Sequence, residues 1–268
     1  MNKTKRKDLI YNGKAKKIFS CQDDNLVIQY FKDDTTANNA QKHSIISGKG
    51  VINNRISEYL MQSIEKIGIP THFVERLNMR EQLVKKVEII PIEFVVRNVS
   101  AGSISKKFNI PEGKVFNQPI IEYYLKNDDL GDPMMCESHL IRLGYIKSDE
   151  LDEIIDFSFR INDFLQGLFV GIGIRLVDFK LEFGRHRKNE SFDIILADEI
   201  SPDTCRLWDS LTDKKLDKDR FRKDLGDLIP AYTEVAKRLG ILYEQSNLSS
   251  VNVTKLSSVK RKRKWKYR

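Results

Sequence analysis

The segment Leu176–Gly184 (LVDFKLEFG) alternates charged and large apolar residues in a pattern that only a β-strand satisfies. Period two sets Asp178, Lys180 and Glu182 on one face and Val177, Phe179, Leu181 and Phe183 on the other. Such a strand needs a sheet with one packed face. Its polar face meets either solvent, as on an outer strand, or a metal ion and phosphates, and this segment alone leaves both open.

A second stretch, Ile89–Ser103 (IIPIEFVVRNVSAGS), weighs against plain solvent. Ile89–Val96 is almost continuously apolar, as in a strand buried on both faces, yet period two puts Glu93, Val95 and Arg97 on one side of it. A carboxylate and a guanidinium are costly to bury without partners. The two could pair with each other. Alternatively Arg97, followed by Asn98 and by Ala101-Gly102-Ser103 at the start of a short helix over 103–109, makes a site for a monophosphate.

The chain of 268 residues is 40% hydrophobic and 31% charged, which suits a globular core, and no apolar run approaches the ~20 residues of a membrane span. Its net charge of +8 is local: eight Lys/Arg lie between Lys255 and Arg268, and without them 38 basic residues balance 38 acidic ones. The surplus belongs to a tail expected to be disordered, although Trp265 and Tyr267 could stack on bases. Three scattered cysteines with no CxxC pair point to reduced thiols, four scattered histidines lack zinc-like spacing, and no secretory signal is seen. A cytoplasmic location is the expectation.

Periodicity predicts short strands at Leu9–Tyr11, Lys17–Ser20 and Leu26–Phe31. A helix carries Ile52, Ile56, Tyr59, Leu60, Ile64 and Ile67, with strands at Thr71–Val74 and Gln82–Val87. Lys114–Asp132 reads mostly as loop, Leu151–Phe169 as an amphipathic helix, and Leu176–Phe183 with Phe192–Glu199 as a β-hairpin. A last helix runs from Phe221 to Leu239 with Pro230 inside it, so a kink or a break is expected there. Strands and helices do not alternate regularly, which favours an α+β fold.

Neither a GxxxxGK[ST] loop nor a GxGxxG is present, so a nucleotide must be held by strands and turns. Gly13-Lys14-Ala15-Lys16, between two predicted strands, lets backbone N–H groups and lysines approach phosphates, though many surface hairpins look alike. Glu182 and Asp198 on partner strands could meet across the sheet around one hard cation, with magnesium expected. One of Asp198 and Glu199 could equally be an ordinary turn acid. Asp203 and Arg206, in the loop that follows, are plausible substrate contacts.

Six ordered blocks, YNGKAK, LVKKVEIIPIEFVVRNVSAGS, LKNDDLGDPM, LVDFKLEFG, DEISPDTCRLWD and DKDRFR, closely resemble the SAICAR synthetase family from about Leu9 to Ile241. The resemblance implies a two-lobed α+β fold of mostly antiparallel sheets with flanking helices and an ATP cleft between the lobes. It divides the chain into a β-rich ATP-binding lobe (1–86), a larger lobe with the substrate and metal site (87–243) and the basic tail (244–268). It implies that ATP drives the joining of the carboxylate of carboxyaminoimidazole ribonucleotide (CAIR) to L-aspartate through an acyl phosphate, a step of purine biosynthesis. Gly13, Lys14, Ala15 and Lys16 would cover the ATP phosphates, and the backbone at Val84 and Lys85 would hold adenine. Glu182 and Asp198 would carry Mg2+, with Lys180 and Asp178 beside the reacting carboxylate. Arg97, Ser103 and Arg206 would grip the ribonucleotide phosphate, Asp203 its ribose or ring, and Lys126 and Asp132 the aspartate. A homodimer is implied, with no membrane or nucleic-acid partner.

Two rivals remain at this level: a kinase-like phosphotransferase with the same ATP cradle and a hydroxyl acceptor, and a nucleic-acid-binding protein driven by its tail.

Overall fold

The computed structural model describes residues 5–37, 42–188 and 190–242; the basic tail lies outside them. In the N-terminal third the elements are β1 (Leu9–Asn12), β2 (Lys16–Ser20), β3 (Leu26–Phe31), β4 (Asp34–Ala37), β5 (Lys42–Ile45), α1 (Lys49–Lys66), β6 (Phe73–Arg76), β7 (Glu81–Lys85) and β8 (Glu88–Ile89). There follow β9 (Ile92–Val99), α2 (Ser103–Lys107), β10 (Val115–Leu125), β11 (Met134–Met135), α3 (Glu137–Arg142) and α4 (Ser148–Gly171). The chain then forms β12 (Ile174–Lys188), β13 (Ser191–Ala197), β14 (Cys205–Asp209), α5 (Asp219–Arg222) and α6 (Leu228–Arg238).

Two antiparallel sheets carry the fold. The smaller runs β1-β2-β3-β7-β6; the larger runs β11-β10-β9-β12-β13, with β8 and β14 also paired to the long β12. Register fixes the functional face: Asp178 lies opposite Arg97 and Lys180 opposite Val95. The alternating charges of β9 and β12 therefore share one side of one sheet. The other side carries Phe94, Val96, Phe179, Leu181 and Phe183, packed in one core with Leu151, Ile154, Ile161, Leu165 and Phe169 of α4. Phe94 meets Tyr123 and Phe183 edge-on, with centroids 5.7 and 5.5 Å away. Each such buried ring contributes roughly 1.5–3 kcal/mol, so the rigid side of the sheet holds the charged side still.

The structure departs from the sequence expectations at three places. The pairing of β12 with β14 shifts between Leu176 and Asp178. Val177 thereby leaves the alternation and packs with Val99, Ala101 and Trp208 instead of with Phe179. The apolar run 89–96 is two strands, because Pro91 lacks an N–H and parts β8 from β9. The expected loop 114–132 contains β10, eleven residues paired with β9; its apolar and aromatic half, Ile120–Leu125, is interrupted upstream by Asn117, Gln118 and Pro119. The last helix, by contrast, is broken as expected near Pro230: Asp224 and Asp227 stand at positive φ (54° and 50°), and Pro230 sits in the first turn of α6. There its missing N–H costs no helical hydrogen bond. Among the described residues no helix is long and apolar enough to cross a membrane.

Candidate active site

Where the two sheets approach, lysines and carboxylates interleave. Lys16, on β2 of the smaller sheet, reaches Asp198 at close range and Glu199 at 2.7 Å. Lys180 pairs with Glu182 on its own strand, lies 3.2 Å from Asp198 and 3.3 Å from Glu93. Lys126, just past β10, pairs with the other oxygen of Glu182. Burial alone would lower the Lys16 ammonium, but Asp198 and Glu199 outweigh it and hold it above its usual range. Burial likewise opposes the charge on Lys180, which Glu182, Asp198 and Glu93 more than restore. Asp198 is held well below the usual carboxylate range, its burial overcome by Lys16 and Lys180. Lys16, Lys180 and Asp198 therefore stay charged at neutral pH.

Asp198 follows the last residue of β13 and adopts φ 58°, a conformation uncommon for a residue with a Cβ. Its carbonyl accepts a 3.3 Å hydrogen bond from Gln29 on β3, so the smaller sheet fixes this turn. The Gly13-Lys14 turn reaches the same region from above: Lys14 donates to Asp128 at 2.5 Å, and the Gly13 carbonyl accepts from Lys32 at 3.1 Å.

Glu182 and Asp198 do meet across the hairpin, through the ammonium of Lys180. Among the described residues no three His, Cys, Asp or Glu are arranged to hold a metal by themselves. Glu182 and Asp198 could hold a hard cation that takes its remaining ligands from phosphate and water, as magnesium does, only with the Lys180 ammonium displaced from between them.

About four residues along β12, roughly 13 Å at strand rise, lies the arginine group. Arg97, almost fully buried, donates Nε to Glu122 (2.6 Å), Nη1 to Asp178 (2.7 Å) and Nη2 to the Ser103 hydroxyl (2.8 Å). Arg206 donates Nη1 to Asp178 at 2.8 Å and Nε to Asp219 at 3.0 Å. Asp178 thus clamps two guanidinium groups side by side; Glu93 and Arg97 do not pair with each other. Gly102 permits the clamp. At φ 66°, a Cβ there would lie 2.3 Å from Nη2 of Arg206.

Asp203 lies deeper. It pairs with the buried Lys49 and accepts from the Tyr232 hydroxyl at 2.6 Å, tying the starts of α1 and α6 to the loop after β13. Two expected contacts are already engaged. Asp132 accepts from the Asn127 N–H at 3.0 Å and closes its own turn. At Lys85 the N–H goes to the His72 carbonyl (2.7 Å) and the ammonium to the Thr71 carbonyl (2.8 Å), while Val84 is buried.

Glu122, Asp219, Lys49 and Tyr232 are partners of this site that no motif reading singled out. Glu122 sits in the segment read as loop, and Lys49 in a short Ser-Gly-Lys-Gly turn that matches neither glycine-rich nucleotide motif. A signal exists for Asp219 alone, in the DKDRFR block.

Two antiparallel sheets converging on interleaved lysines and carboxylates, beside paired arginines, define an α+β protein with a dense cluster of buried charge where the sheets meet. A family model described as SAICAR synthetase matches residues 9–239. The chain is 64% identical over 254 residues to the phosphoribosylaminoimidazole-succinocarboxamide synthase of Pelagibacter ubique (strain HTCC1062), covering 95% of this chain and 98% of that one. The crystal structure of the same synthase from Ehrlichia chaffeensis superposes with a TM-score of 0.86 at 52% identity, over 88% of this chain and all of that one. A SAICAR synthetase (type 2) in complex with ADP gives 0.83 at 45% identity, over 88% and 99%. The chain belongs to the SAICAR synthetase family.

Proposed function

We propose that this cleft joins the carboxylate of CAIR to the amino group of L-aspartate, splitting ATP to ADP and phosphate. The observation that carries the reading is the single sheet face on which Arg97 with Arg206 and Glu182 with Asp198 stand about four residues apart. One end suits a sugar phosphate, the other a metal-bound polyphosphate. The relative solved with ADP supports the nucleotide assignment.

In this reading residues 1–86 form the ATP-binding lobe and 87–243 the lobe that holds substrate and metal. Gly13, Lys14, Ala15 and Lys16 cover the phosphates, with Val84 and Lys85 lining the base pocket. Arg97, Ser103 and Arg206 bind the ribonucleotide phosphate, and Asp203 with Lys49 faces its sugar or ring. Glu182 and Asp198 would hold Mg2+, which when bound would supply charge neutralisation for the transferring phosphoryl group. A carboxylate oxygen of CAIR attacks the γ-phosphorus, ADP leaves, and the resulting acyl phosphate is a far better electrophile than the carboxylate. Lys16 and Lys180 face the charge that builds during transfer. The aspartate nitrogen then attacks the acyl carbon, loses its proton, and phosphate departs. Lys126 and Asp132 border the aspartate side.

Asp178 is better cast as an orienting group than as the base that takes that proton, since both its oxygens accept from guanidinium groups. A cytoplasmic homodimer is part of the same proposal, taken from the family resemblance.

The test measures ADP release with ATP, Mg2+ and CAIR, with and without L-aspartate. Release that depends on aspartate and matches product one to one is expected. Full turnover without aspartate would replace the ligase with a phosphotransferase.

A further inference from the structure

His72 is a buried imidazole with nothing to do in the scheme above. It lies at the seam of the two sheets: its N–H donates to the Leu196 carbonyl of β13 at 2.8 Å, and its carbonyl accepts from Lys85 at 2.7 Å. Thr71 beside it bridges in parallel to Leu196, two residues before Asp198. The side chain of Phe73 enters the main core, whereas the charged groups facing the His72 ring are Asp198, Lys16 and Lys85. His72 is 3% exposed, and neither Nδ1 nor Nε2 has a hydrogen-bond partner among the described residues. Buried polar groups are paired in folded proteins, and two orphan nitrogens on one ring are costly unless something else meets them.

We propose that His72 contacts the uncharged nucleoside part of ATP, donating from one ring nitrogen and accepting at the other. This rests on the nucleotide occupying the cleft beside Lys16 and Asp198. Burial, aided by Lys16 and Lys85 against the pull of Asp198, drops the ring to about 3, so it is neutral at physiological pH. A neutral imidazole has no charge to offer a phosphate, which Lys14 and Lys16 already face. It does offer one donor and one acceptor, the complement of a purine edge or of a ribose hydroxyl.

The test compares wild type with His72→Phe and His72→Gln in two assays. These are substrate KM values for ligation and the rise in Tm caused by ADP with Mg2+. In His72→Phe, KM for ATP rises roughly tenfold, the cost of one buried hydrogen bond. KM for CAIR and for aspartate stays within twofold. Unliganded Tm is unchanged or higher, because the orphan nitrogens are gone, while the ADP-induced rise shrinks. His72→Gln, which keeps a donor and an acceptor, recovers most of both. Weakened binding of 2′-deoxy-ATP to wild type but not to His72→Phe assigns the contact to the sugar, and the same pattern with inosine triphosphate assigns it to the base. An unchanged ATP KM with an unchanged ADP-induced rise overturns the proposal, as does a drop in unliganded Tm with all three KM values rising together. If wild type shows no aspartate-dependent turnover, the ligase reading fails, and the ADP-induced rise still decides the role of His72.

Discussion

Glu182 touches two ammonium groups, of Lys126 and Lys180, and is one of the two carboxylates proposed to hold the metal. Glu182→Gln keeps the shape and removes the charge. The fold is therefore expected to stand while most Mg2+-dependent turnover disappears; wild-type turnover would remove Glu182 from the metal shell. Arg97 is different because its side chain is also structural. Arg97→Ala leaves Glu122 and Asp178 without their shared cation, so unfolding free energy should fall by about 3–5 kcal/mol. Ribonucleotide binding should weaken by roughly 2–5 kcal/mol, much more than ATP binding. Equal weakening of both substrates would place Arg97 outside the phosphate site. Asp217 offers a pH test. Burial, and then Asp219, push its carboxyl from 3.8 up to about 7, although the N–H groups of Leu207 and Asp219 both donate to it. The folded protein thus keeps this proton longer than the unfolded chain does. Stability relative to Asp217→Asn should fall as pH rises from about 4 to about 7, by on the order of a few kcal/mol, then level off. A difference in urea midpoint moving the opposite way would contradict the assignment.

Among the elements, β12 is the one the rest are arranged around, since β8, β9, β13 and β14 all pair with it. Gly184 lets the linker from the smaller sheet cross it: a Cβ there would stand 2.6 Å from Cγ2 of Val87 and 3.2 Å from the Glu88 carbonyl. Gly184→Ala should cost about 1–3 kcal/mol by overpacking, read as a lower urea midpoint, and Val87→Ala in the same chain, which keeps its own Cβ 2.8 Å from the new methyl, should recover only part of it. The polar face of β12 was legible because strict alternation has one structural meaning. Its bulge at Val177 was not, because the shift is imposed by pairing with β14, some thirty residues on. Strand β10 was hidden for a related reason: Asn117, Gln118 and Pro119 mimic a loop, and only the partner β9 makes the stretch a strand. Pro230 announced an interruption, and the break falls just before it, where two aspartates turn the chain.

In the whole molecule, a smaller sheet supplies Lys16, and a larger sheet supplies Lys180 together with the carboxylates and arginines. Lys16 with Asp198, and Lys14 with Asp128, join the two across the cleft. Charge patterning in the sequence exposed Asp178, Lys180, Glu182 and Arg97, since ionised residues in apolar strands demand partners. The partners themselves, Glu122, Lys49 and Tyr232, come from elements distant in the chain, and no local pattern marks them. Family blocks supplied the chemistry, which periodicity alone could not. The direct measurement is a crystallographic difference map after soaking with ATP, Mg2+ and CAIR. The account predicts a polyphosphate and cation against Lys16, Glu182 and Asp198, and a separate phosphate peak on Arg97, Ser103 and Arg206, in one cleft. Nucleotide density away from Lys16 and Asp198, or a ribonucleotide phosphate that leaves both arginines untouched, would contradict it.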